Sequence, residues 1–163
     1  MSIVERDIKV ICCGNILASD DGVGPKIAEK LCTLDLPKNV EVIDAGTPGL
    51  SIVDMMLGAR KVVLVDAMVT GAEPGTIRKI DPDQLLVKGN GLKISLHDIS
   101  LAEALRIAHE VYPERMPVEV VVIGIEAGSI EKPRIGLTQN VEKALQEAVE
   151  MVLIEIKNGL SHR

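Results

Sequence analysis

Aromatic residues are almost missing from this chain: Tyr112 is the single one, and neither Phe nor Trp occurs. Bases and sugars bind largely by stacking on aromatic faces, so this scarcity argues against a nucleic-acid or carbohydrate platform. A basic cluster is missing as well. The 18 Lys and Arg residues are outnumbered by 24 Asp and Glu, and the net charge of −6 has the wrong sign for a phosphate backbone. Long hydrophobic runs are absent: the longest, around Val118 to Ile125, is interrupted by Glu119 and is far too short to span a bilayer. Glu5, Arg6 and Asp7 precede the first apolar run, the wrong order for a secretory signal, so a cytoplasmic protein is expected. Cysteine is sparse. Cys12, Cys13 and Cys32 form no Cys-x-x-Cys pair, and buried free thiols in a reducing compartment are the expected reading. His-Glu-x-x-His, Gly-x-Ser-x-Gly and Walker-type loops are also lacking, which removes the commonest zinc-peptidase, serine-hydrolase and nucleotide-binding signatures.

What is present is a core-forming composition without aromatics. Of 163 residues, 47% are hydrophobic and 26% charged, a globular balance whose core must be built from Val, Ile, Leu, Met and Ala. Short β-branched runs alternate with amphipathic stretches. Lys9 to Cys13 reads as a first strand, and Pro25 suits the first position of a helix capped by Gly24, with Ile27, Ala28, Leu31 and Leu34 at helical spacing. Val40 to Asp44 reads as a second strand, and Leu50 to Leu57 as a short helix ending at Gly58. Lys61 to Asp66 is the most hydrophobic strand, as a central, doubly covered one should be. Thr76 to Ile80 alternates apolar and polar residues, which places it nearer an edge. Asp81 to Gly91 reads as a turn-rich connection. Ser100 and Glu103 match a capping box, Val118 to Ile125 is another buried strand, and Val141 to Ile156 a long helix stopped at Gly159. No linker or repeat divides this order. The expectation is a single α/β domain over residues 1–163, a three-layer α/β/α sandwich on a mostly parallel twisted sheet.

Ligands of open α/β sheets gather beyond the carboxyl ends of strands. Asp21 lies in the loop after the first strand, Asp44 ends the second, Asp66 ends the third, and His97 precedes the capped helix. Each has an ordinary alternative: Asp21 could cap a helix, Asp66 could order its own turn, and His97 could be a surface imidazole. Taken together, Asp21, Asp66 and His97 supply two carboxylates and an imidazole, a ligand set for a divalent metal that leaves positions open for water or substrate. Such a metal polarises a carbonyl or lowers the pKa of water, a route to amide hydrolysis without a protein nucleophile. A Cys–His dyad is not expected, because Cys12 and Cys13 fall inside a buried strand.

The segments Gly14-Asn15-Ile16-Leu17, Asp20-Asp21-Gly22-Val23-Gly24, Asp44-Ala45-Gly46-Thr47, Val65-Asp66-Ala67 and Ser95-Leu96-His97 occur in an order that resembles the hydrogenase maturation endopeptidases. Pro74-Gly75 and Ile130 to Thr138 are similar to that family too, and the likeness runs from Val10 to about Ala148. The chain departs at Cys12, where many members carry Gly, and at Asp21, where some carry Glu. The resemblance implies an endopeptidase that removes a C-terminal extension from the large-subunit precursor of a nickel–iron (NiFe) hydrogenase. It implies that Asp21, Asp66 and His97 bind metal and that Asp44 also matters for activity. The metal it implies is nickel already carried by the substrate. A non-catalytic nickel carrier or sensing module with the same ligands is the alternative from another class.

Overall fold

The computed structural model describes residues 7–86 and 99–161. The β-branched runs form strands β1 (Ile8–Cys13), β2 (Val40–Gly46), β3 (Lys61–Met68), β4 (Ile77–Ile80) and β5 (Glu119–Glu126). They make a five-stranded sheet in the order β2-β1-β3-β5-β4. The pairs β1–β2, β1–β3 and β3–β5 are parallel, and β4 runs antiparallel to β5 at the edge. Strand β3 is buried along its whole length, Lys61 and Asp66 included, and its apolar run Val62 to Val65 suits a strand covered on both faces.

Side chains alternate across a sheet, and each face has its own helical cover. Val10, Cys12, Val63 and Val65 point to one side and pack with helices α1 (Val23–Cys32) and α5 (Gln139–Ser161). Ile11, Val62, Leu64 and Val122 point to the other and pack with α2 (Ile52–Met56) and α4 (Leu101–Val111). The result is the α/β/α sandwich expected. The Ser100 cap is also as read: Glu103 N donates to Ser100 Oγ at 3.2 Å, and Ser100 N donates to the Glu103 carboxylate at 3.1 Å.

Several boundaries differ from the sequence reading. Helix α1 begins at Val23, with Gly22 rather than Gly24 as its cap, because a 3-10 turn over Ser19–Gly22 feeds straight into it. Pro25 still falls within the first turn, where no backbone N–H is needed. The helix ends at Cys32, which leaves Leu34 outside it and exposed. Val118 precedes β5 and is 87% exposed. The stretch read as a connection from Asp81 contains helix α3 (Pro82–Leu86), and its remainder lies outside the described residues. Gly159 does not stop α5, which continues to Ser161. Its hydrogen serves close approach instead: a Cβ there would lie 2.8 Å from the Lys61 side chain and 2.9 Å from Ile8. That contact seats α5 over the buried Lys61, whose Nζ lies 2.8 Å from the Glu155 carboxylate. No helix among the described residues is long and apolar enough to cross a membrane.

The chain leaves β1 towards β2 on one side, whereas β3 leads to β5 on the other. The sheet's switch point therefore lies between β1 and β3, the place where sheets of this kind hold their ligands in a crevice beyond the strand ends.

Candidate active site

Loop 14–22 enters this crevice from β1. A register shift between Cys12 and Cys13 pairs Cys13 with Gly46, and Gly14 N donates to Gly46 O at 2.7 Å. Gly14 has φ 146°, and a Cβ on it would sit 1.9 Å from the Asp21 carbonyl oxygen. Only glycine lets the turn fold back this closely onto the backbone of Asp21. The Asp21 carboxylate then accepts a hydrogen bond from Asn15 N at 2.9 Å, which fixes its orientation without capping helix α1.

Asp66 reaches the same crevice from β3. Its place in the strand alternation sets it on the α2–α4 side with Leu64, and it is 5% exposed. Burial pushes its carboxyl pKa well above the usual carboxylate value, and the negative charge of Asp21 pushes it further. The hydrogen bond from Ala67 N, at 2.8 Å, opposes both but does not prevail. Two carboxylates that repel each other across a desolvated crevice are relieved by a shared proton or by a cation, and their hard oxygen donors suit a divalent ion. Among the described residues no three His, Cys, Asp or Glu side chains group tightly enough to hold a metal. His97, the third member of the expected set, lies outside the described residues.

Asp44 is placed differently. Its Cα pairs with that of Cys12, so its side chain shares the α1 face of the sheet, the face opposite to Asp66. It is exposed there and borders a groove along α1 with Lys26, Glu29 and Cys32. Among the described residues, Asp21 and not Asp44 is the charge that raises Asp66. The thiols of Cys12 and Cys13 are buried, and desolvation followed by the nearby aspartates raises both far above the reactive range.

Two carboxylates that the sequence reading left without a role organise the site. Asp20 is fully buried and accepts hydrogen bonds from Gly128 N at 2.7 Å, Ser129 N at 3.0 Å, Thr138 N at 2.6 Å and Thr138 Oγ1 at 2.7 Å. The backbone joins in: Asp20 N donates to Ser129 O at 3.0 Å, and Ser19 N to Arg134 O at 2.8 Å. Loop 14–22 is thereby fastened to segment 128–138. Glu126, 1% exposed at the end of β5, accepts from Thr70 N and Thr70 Oγ1 at 2.8 Å and from Gly71 N at 3.0 Å. It ties down the turn that follows the strand of Asp66. The partners of Asp20 are more than a hundred residues away, so only the motif order of loop and late segment hinted at the connection.

The fold and its carboxylate pair leave the activity open, and comparison with known proteins gives the family. The hydrogenase maturation protease (HycI) family model matches residues 25–155. The hydrogenase 2 maturation protease of Escherichia coli is 32% identical over 154 residues, covering 93% of this chain and 92% of that protein. The coenzyme F420 hydrogenase subunit delta of Methanothermobacter thermautotrophicus is 36% identical, covering 93% and 96%. Among solved structures, the hydrogenase maturating endopeptidase HybD of Escherichia coli superposes with a TM-score of 0.79 at 32% identity, covering 93% of this chain and 92% of that one. The chain belongs to the hydrogenase maturation protease family, whose members are hydrolases of peptide bonds.

Proposed function

We propose that this chain removes the C-terminal extension of the large-subunit precursor of a nickel–iron hydrogenase, in the cytoplasm, and that it reads the nickel already inserted in that precursor. Family membership supports the processing role, and the Asp21–Asp66 pair supports the metal reading. That pair is the single observation that carries it: two like charges, one of them desolvated, gain from meeting a cation that arrives with the substrate. Asp21, Asp66 and His97 would contact the nickel. When bound, nickel supplies a positive centre that fixes the scissile peptide beside it and polarises its carbonyl. The chain's own part is to hold the carboxylates in place through Gly14, Asn15 and Ala67, and to offer a carboxylate that takes a proton from the attacking water. An incomplete site is apt for this task, because a tight set of protein ligands would strip nickel from the product.

Incubation with nickel-loaded precursor followed by mass spectrometry tests the proposal. The expected result is a shortened large subunit with wild-type protein, and none with Asp66→Asn or His97→Ala at unchanged circular dichroism. Asp21→Asn should process at most weakly. Precursor that binds but stays full length would favour the nickel carrier, and normal processing by all three variants would overturn the assignment of the site.

A further inference from the structure

Peptide hydrolysis at this site meets an electrostatic difficulty. When water adds to the scissile carbonyl, the carbonyl oxygen becomes an oxyanion, and the charge must be met by groups already in place. Here it would develop beside Asp21 and Asp66, two carboxylates that already oppose one another. Loop 14–22 contains neither Lys nor Arg to offset it. What the loop does hold is neutral hydrogen-bond donors, and they cluster at Asn15.

Asn15 is held at three points. Its N–H donates to the Asp21 carboxylate at 2.9 Å, its carbonyl accepts from Ala18 N at 3.0 Å, and its side-chain Oδ1 accepts from Leu17 N at 2.9 Å. The last bond decides which way the amide faces. Leu17 N–H is a donor, so the atom it meets is the oxygen, and Nδ2 lies on the other branch of the amide. Among the described residues Nδ2 has no hydrogen-bond partner, and the half-exposed side chain leaves it open to approach. The neighbouring Ile16 N–H is unpartnered as well, although the amides of Asn15, Leu17 and Ala18 are all engaged. The turn therefore presents two open donors within a side chain's length of the Asp21 carboxylate. Because Gly14 closes the turn against Asp21, both are oriented before any substrate arrives, which is the condition under which such donors stabilise a transition state most.

We infer that Asn15 is a further catalytic residue: its Nδ2, together with Ile16 N–H, donates to the scissile carbonyl oxygen as that oxygen becomes anionic. The inference rests on the processing role proposed above. The oxygen of water bonds to the carbonyl carbon, the C=O π pair moves onto the carbonyl oxygen, and a carboxylate takes the proton from the water. On collapse the C=O bond re-forms, the C–N bond breaks, and the proton passes to the leaving nitrogen, giving an acid and an amine. Asn15 exchanges no proton in either step. Its bond to the oxygen strengthens as the charge grows, so it acts on kcat and leaves substrate binding alone.

Asn15→Ser and Asn15→Asp test it in the intact protein against nickel-loaded precursor. Both keep an oxygen able to accept from Leu17 N–H, as well as every main-chain bond of the turn, and both lack the NH2 group. Each should lower kcat about 100–1,000-fold, the loss typical of one such donor, with KM, the calorimetric affinity for precursor and the melting temperature unchanged. Asn15→Asp adds a third negative charge and should be the slower of the two. If the side chain of Asn15 only shapes the turn, both variants retain wild-type kcat. That result, or a raised KM at unchanged kcat, would overturn the inference and leave the protease reading standing. Precursor left uncut by the wild-type protein would remove the protease reading and this inference with it.

Discussion

Replacing Asp20 by Asn keeps the shape of the side chain and removes its charge, which isolates the fastening between loop 14–22 and segment 128–138. In the native protein one carboxylate oxygen receives Gly128 N, Ser129 N and Thr138 Oγ1, and the other receives Thr138 N at 2.6 Å. An amide offers one oxygen and one NH2 group. Its better orientation keeps the three-donor side and turns the NH2 towards Thr138 N–H, so one bond becomes a donor–donor contact and the other three lose charge assistance. Hydrogen bonds to a charged group contribute about 1.5–3 kcal/mol each, neutral ones about 0.5–1.5, and a stranded buried donor adds a penalty of its own. The expected loss is about 3–5 kcal/mol, or roughly 10–15 °C in melting temperature for a domain of this size. Calorimetry measures the first, and amide exchange at Gly128, Ser129 and Thr138 should accelerate together. Thr138→Val, which removes only the hydroxyl, should lose about 1–2 kcal/mol and preserve the order of the series. A melting temperature for Asp20→Asn within about 2 °C of wild type, with exchange unchanged at those amides, would refute the fastening.

The pH profile of the metal-free protein should carry the signature of Asp66. A carboxyl whose pKa is raised by folding contributes its stability in full below about pH 4 and loses it as pH climbs through the folded value. Asp66→Asn should therefore melt at or above wild type at pH 7–8, with the gap closing near pH 4, and parallel profiles across that range would speak against the buried repulsion. Gly14→Ala drives a Cβ to 1.9 Å from the Asp21 carbonyl, so it should lower stability by about 3 kcal/mol or more and abolish processing. Wild-type melting and turnover for that variant would mean that the turn is not closed against Asp21.

The layer structure was legible because it depends on local pattern. A run as apolar as Val62 to Val65 has to be covered on both faces, and the buried β3 that contains it lies in the middle of the sheet. Alternation in Thr76 to Ile80 marked an edge, and β4 is the antiparallel edge strand. The Ser100–Glu103 capping box is a local signal and was read as it stands. Gly159 shows where such reading fails. A glycine near the end of a helical pattern has the same appearance whether it ends the helix or admits a neighbour, and the choice depends on Lys61 and Ile8 from distant strands.

The same division holds at the site. Residue types and their order along the chain suggested the family and drew attention to Asp21 and Asp66, although Asp66 lies inside β3, which runs on to Met68, rather than at its end. The placement of the aspartates was decided by the tertiary structure. Strand register sends Asp44 to the α1 face and Asp66 to the α2–α4 face, and a one-residue difference in alternation is enough to separate them. Adjacent Asp20 and Asp21 differ as completely: one is spent on four donors from the other end of the chain, the other accepts from Asn15 N nearby, and its charge raises the carboxyl pKa of Asp66. Local sequence determines what a segment becomes, whereas a charge takes its meaning from the groups that folding brings to it.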